Sequence, residues 1–236
     1  MGRLLAALSA FPVAVAMLVL LPASVVLAAP CYGSNNGAYR ALSSEPSSKG
    51  LQTTADLVAA TPANPNTTTI VHPAQIVAAS GDFVGWGTAK GDGTHDPDAI
   101  SNCPTYVGTR WQLYADGLTF DQYFCRQGAY GSEPNTASNQ DIEIIHTSCN
   151  GATRWAFFWN GAQKTCQAIN GVSGEPNIGG ESIGADPQHI DIHYKVLKYR
   201  ILGGTWAAWH SGQITCVSSG YLLTLNGFAD VYVKEQ

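Results

Sequence analysis

The chain has 236 residues, a net charge of −5 and only 12% charged side chains. An acidic chain with few, scattered cations lacks the basic stripe that binding to nucleic acid or to an anionic membrane surface requires. Its 45% hydrophobic content is that of a chain able to bury a core, not of a disordered one.

Residues 1–28 carry one cation, Arg3, followed by a long apolar run that ends in small residues at Val26 and Ala28. This pattern predicts a secretory signal peptide cut after Ala28. The run is also long enough to span a bilayer, but the small residues favour cleavage, and no second run of that length follows. Pro30 before Cys31 argues against a lipid anchor. The expectation is therefore a secreted, extracellular protein with no membrane attachment once the signal is removed. The six cysteines, Cys31, Cys103, Cys125, Cys149, Cys166 and Cys216, all follow the leader. An even number in an exported chain predicts three disulfides. Local pairing, 103–125 and 149–166 with 31–216 remaining, is the first choice among 15 connectivities.

Residues 29–69 read as a loop-rich N-terminal segment, with "SSEPSSKG" and "TPANPNTTT" as loops and "LQTTADLVAA" as a short helix. Within it, Asn66-Thr67-Thr68 is a glycosylation sequon. From 70 to 236 short apolar segments alternate with Gly and Asn, and "DIEIIH", "HIDIHYKVLKY", "YLLTL" and "FADVYV" read as strands. Thr109-Arg110-Trp111 leads to Asp116-Gly117 and Cys125. Thr153-Arg154-Trp155 leads to Asn160-Gly161 and Cys166. Asp-Gly and Asn-Gly suit a type I′ turn, which needs positive φ at both central residues, so each copy reads as a hairpin. Glu133-Pro134-Asn135 and Glu175-Pro176-Asn177 follow the two copies, which supports a duplicated unit; Arg110 and Arg154 could pair with these glutamates. A weaker third copy starts at Thr205-Trp206. In ideal register Trp155 would oppose Cys166, and a 149–166 bridge would need a bulge or a looser turn.

These readings predict an all-β fold, most simply an antiparallel β-sandwich of jelly-roll or lectin-like type over 70–236, built partly from duplicated hairpins; a β-trefoil is the alternative. The strand spacing resembles that of two-sheet lectin- and glucanase-type sandwiches.

Three groups carry chemistry. In "HIDIHYK", His189, Asp191 and His193 share one face of a strand, a donor set for zinc or a similar divalent cation. In "QDIEIIH", Asp141 and Glu143 occupy the matching place; Glu143 with Asp191 could supply carboxylates for acid–base hydrolysis. Asp92, Asp96 and Asp98 in a Gly-rich loop could take calcium. Trp111, Trp155 and Trp159 recur in the hairpins; period-two aromatics usually mean core, but exposed ones would stack on sugar rings. The sequence contains no His-Glu-x-x-His. The leading functional expectation is a secreted non-catalytic module that binds glycans or a cell-wall polymer through the tryptophans. The alternatives are a secreted glycosidase- or peptidase-like hydrolase and a structural surface protein.

Overall fold

A computed structural model describes residues 36–59, 68–92, 105–106, 110–119, 122–134, 136–184, 190–218 and 220–235. Residues 1–28, read above as a signal peptide, together with Cys31, Asn66, Asp96, Asp98, Cys103 and His189, lie outside these residues, and so do the expectations attached to them.

Two antiparallel eight-stranded sheets face each other, with strands numbered in chain order. The first sheet runs β14 (Ile214–Val217), β1 (Asn36–Ala41), β11 (Glu175–Gly184), β3 (Thr68–Val77), β4 (Phe83–Asp92), β6 (Trp111–Thr119), β7 (Gln122–Glu133), with β5 (Thr105–Tyr106) paired to β4. The second runs β10 (Ala162–Gln167), β9 (Ala152–Trp159), β8 (Ala137–Cys149), β2 (Gly50–Leu57), β12 (Asp191–Arg200), β16 (Asp230–Glu235), β15 (Tyr221–Leu225), with β13 (Trp206–Ala208) paired to β12. This is the expected β-sandwich, and two stacked sheets exclude the trefoil.

The core lies between the sheets because the central strands of the second sheet alternate. Leu51, Thr53, Ala55 and Leu57 of β2 point inward, as do Ile192 and Tyr194 of β12, while the residues between them reach the other face. The sheets meet at Trp86 of β4, which stacks on Phe157 of β9 at 5.6 Å and sits edge-on to Trp159 at 6.3 Å. The Trp86 indole donates to the Phe158 carbonyl at 2.8 Å, so the contact between sheets is also polar.

Several expectations are corrected. The N-terminal segment is not loop throughout: Asn36–Ala41 and Gly50–Leu57 form β1 and β2, with β2 in the middle of the second sheet, and "SSEPSSKG" is the expected turn region up to Lys49. The expected helix "LQTTADLVAA" is a strand through Leu57, because its apolar residues recur at period two. Asp116-Gly117 is no turn; β6 runs straight through it, with Asp116 opposite Cys125. Asn160-Gly161 does turn, at φ 49° and 74°, and Asn150-Gly151 does so at 53° and 78°. The first hairpin, β6–β7, belongs to one sheet and the second, β9–β10, to the other. The third copy is no hairpin, since β13 pairs with β12 and β14 with β1. Cys149 and Cys166 are bonded, at Cα–Cα 6.4 Å. A bulge between Gln163 and Thr165 displaces β10, so Cys166 opposes Ala156 and Gln167 opposes Trp155. Cys216 is also disulfide-bonded.

Candidate functional site: the polar face of the second sheet

With its inner side chains committed to the core, the central part of the second sheet presents a polar outer face. Register fixes its rows. Glu143 of β8 lies opposite Gln52 of β2 and Phe158 of β9, and Gln52 lies opposite Lys198 of β12. In the next row Asp141 faces Thr54, Thr54 faces Lys195, and Lys195 faces Asp230. The third row is Asp56, His193 and Tyr232.

Most acids here are tied down. Thr54 donates its hydroxyl to Asp141 Oδ1 at 3.0 Å, and the Asp141 amide donates to Asn160 Oδ1 at 2.8 Å. Asp56 accepts Lys195 Nζ at 2.7 Å and the Asn139 amide at 2.8 Å. Burial alone would raise the Asp56 carboxyl, but the Lys195 hydrogen bond, the Asn139 amide and the charges of Lys195 and His193 outweigh it and hold it low. His193 stacks on Tyr232 at 3.6 Å, with Nε2 2.9 Å from Asp230 Oδ1 and Nδ1 3.5 Å from Asp56 Oδ2.

Glu143 differs. Half-buried, its carboxylate accepts the Gln52 carboxamide, Nε2 to Oε2 at 3.1 Å. Burial pushes its pKa up; Arg200 opposes this, Asp141 adds to it, and the Gln52 hydrogen bond lowers it. A carboxyl raised by burial on an accessible sheet face is poised for proton transfer in mild acid.

The remaining predicted residues fare differently. Asp191 is half-buried at the far end of β12, opposite Lys234. It stands about 20 Å along the strand from Lys198, so it does not join Glu143. Of the metal set, His193 directs its ring nitrogens at Asp230 and Asp56, while His189 lies outside the described residues. Among the described residues no group of three His, Cys, Asp or Glu side chains is placed to hold an ion. Trp111, Trp155 and Trp159 are 0%, 1% and 2% exposed, so they cannot serve as a sugar-stacking platform. Their repeat reflects two sheets drawing on one core. The expected Arg110–Glu133 pair is replaced: Arg110 donates to Ser132 at 2.9 Å, and Glu133 accepts the Trp159 indole at 2.8 Å. Gln52, absent from the sequence reading, was legible in the alternation of β2, whose polar residues Gln52, Thr54 and Asp56 share a face.

Fold and site together define a disulfide-bonded antiparallel β-sandwich with a carboxyl–carboxamide pair on one sheet face. No family model and no curated protein matches the chain. Among solved structures it is similar to scytalido-glutamic peptidase with a transition state analog inhibitor, at TM-score 0.46 and 9% identity over 86% of this chain and 98% of that one. It is also similar to SCP-B, a member of the eqolisin family of peptidases, in complex with the tripeptide Ala-Ile-His, at TM-score 0.44 and 10% identity over 86% and 99%. At these values the likeness is one of general architecture.

Proposed function

We propose that the protein is an exported hydrolase that cleaves acyl bonds, amide or ester, with Glu143 as general acid–base and Gln52 as its partner. The observation that carries this is the Gln52–Glu143 contact on an accessible face, with the Glu143 carboxyl raised by burial. In the reaction, the Glu143 carboxylate takes a proton from water as the water oxygen bonds to the carbonyl carbon. A Gln52 N–H donates to the oxygen that gains negative charge, the role that oxyanion donors play elsewhere. Glu143 then gives its proton to the departing amine or alcohol as the carbon–leaving-group bond breaks. Asp141, already bonded to Thr54 and Asn160, is committed to holding β8, which favours acyl chemistry over a glycosidase pair. Export is supported by the leader-like N-terminus and by a disulfide of the kind that persists in oxidising compartments.

The test uses purified mature protein against a mixed peptide library, ester substrates and neutral polysaccharides, across the carboxylate pH range. Acyl hydrolysis is expected to fall about 10²-fold or more in Glu143→Gln and more moderately in Gln52→Ala. Full activity in Glu143→Gln would refute the assignment, and glycoside cleavage alone would refute the acyl class.

A further inference from the structure

One residue of β12 breaks the pattern that organises this face. Lys195 pairs with Thr54 and Lys198 with Gln52, so Val196 and Leu197 together oppose the single residue Thr53. That is a β-bulge, a device that re-aims a side chain. Its second residue is firmly held. Leu197 is fully buried, its amide donates to the Ala229 carbonyl at 3.2 Å, and its carbonyl accepts the Trp209 amide at 3.0 Å. Thr53 Oγ1 donates to the Lys195 carbonyl at 3.0 Å and pins the other side.

Val196 carries the distortion. Its φ is +56°, a left-handed conformation that a β-branched residue adopts only under strain. Gly or Asn would relieve that strain. The strain is not offset by burial, because Val196 is 53% exposed. A strained conformation here presents an isopropyl group to solvent on a face otherwise lined by Gln52, Thr54, Lys195 and Lys198. Phe228, also 53% exposed, precedes the Ala229 that bonds Leu197. Val196 lies on the strand next to Gln52 and two strands from Glu143, about 5 Å and 10 Å across the sheet. That is about the distance from a reacting carbonyl to the neighbouring side chain of an extended substrate.

We propose that Val196, with Phe228 on the adjoining segment that bonds Leu197, is a specificity subsite that receives an apolar side chain next to the bond on which Glu143 acts. The preferred substrate is then an acyl compound, peptide or ester, with a Leu- or Phe-like group flanking the scissile bond. This rests on the hydrolase reading above.

The test compares wild type with Val196→Gly and Val196→Asn on two matched peptide series, one with Leu and one with Gly beside the cleaved bond. Both substitutions suit a positive φ, so both variants should fold with an unchanged or higher Tm. The kcat/KM for the Leu series should fall about ten-fold, with the Gly series nearly unchanged. A second readout needs no turnover: in Glu143→Gln, N-acetyl-leucine amide should shift the Val196 methyl NMR signals, and N-acetyl-glycine amide should not. If wild type hydrolyses both series and the variants keep its selectivity, the subsite is wrong and the hydrolase reading stands. If wild type cleaves no acyl bond, the hydrolase reading fails and the subsite falls with it.

Discussion

Trp155 is the sharpest place to ask whether the repeated aromatics are core or ligand platform. It is 1% exposed on the inner face of β9, and its indole donates to the Gly171 carbonyl at 3.0 Å. A buried tryptophan removes about 200 Å² from water, worth about 5 kcal/mol at 25 cal/mol/Å². Truncation to alanine, after partial relaxation, should cost about 3–5 kcal/mol. That is a large part of the whole stability of an ordinary domain, about 5–15 kcal/mol. Trp155→Phe keeps most of the packing but strands the Gly171 carbonyl, and should cost about 1–3 kcal/mol. Urea unfolding followed by circular dichroism reads both. At a slope of about 2 kcal/mol/M the alanine variant should lose about 2 M in midpoint, with the slope unchanged. If Trp155→Ala unfolds within about 1 kcal/mol of wild type and loses polysaccharide binding, the residue is a surface platform and the burial argument is wrong.

Glu143→Gln should separate activity from stability. The folded carboxyl has a raised pKa, so ionising it costs folding free energy, and stability falls as pH rises from the unfolded value through the folded one. The glutamine variant should therefore melt higher than wild type at neutral pH and no higher in strong acid; equal differences at both would contradict the assignment. His72 acts in the opposite direction. Fully buried, with burial and then Lys90 lowering its pKa to about 3, it contributes stability above the unfolded histidine value of about 6.5, which is lost as pH falls from there toward 3. His72→Leu should resist acid unfolding to a lower pH, as an acid titration by fluorescence would show, and an unmoved midpoint would count against it. Removing the Cys149–Cys166 bridge by a double serine substitution opens a loop of sequence separation 17 and should cost about 3 kcal/mol. A midpoint unchanged in denaturant would show that the bridge adds nothing to stability.

How much of this was legible depended on whether a signal was local. Asn150-Gly151 and Asn160-Gly161 turn as their residue types require, because an I′ turn is decided by two φ angles within the dipeptide. Asp116-Gly117 has the same spelling and stays extended. Asp116 pairs with Gly85 on one side and Cys125 on the other, so ladder hydrogen bonds override turn propensity. The helix expected at "LQTTADLVAA" failed for a related reason. Its alanines and leucines suit a helix, but Leu51, Ala55 and Leu57 alternate with Gln52, Thr54 and Asp56, and a place between β8 and β12 selects the period of two.

The candidate site shows the same divide between local and non-local information. That Glu143 lies on a polar face followed from alternation within its own strand. That its partner is Gln52, more than ninety residues earlier in the numbering, depends on β2 entering the sheet beside β8, which no local pattern encodes. Asp191 and His193 alternate on one face of β12, and His193 reaches the acids of both neighbouring strands. The bulge at Val196 is hidden for the same reason. "HYKVLKYR" reads as regular alternation through Tyr194 and resumes at Lys198, so one extra residue is needed between them to keep Leu197 in the core. Once Leu197 is fixed inward and Lys198 outward, Val196 has nowhere to point but toward the face that carries Glu143. The inserted residue thus couples a core requirement to the chemistry of the exposed surface.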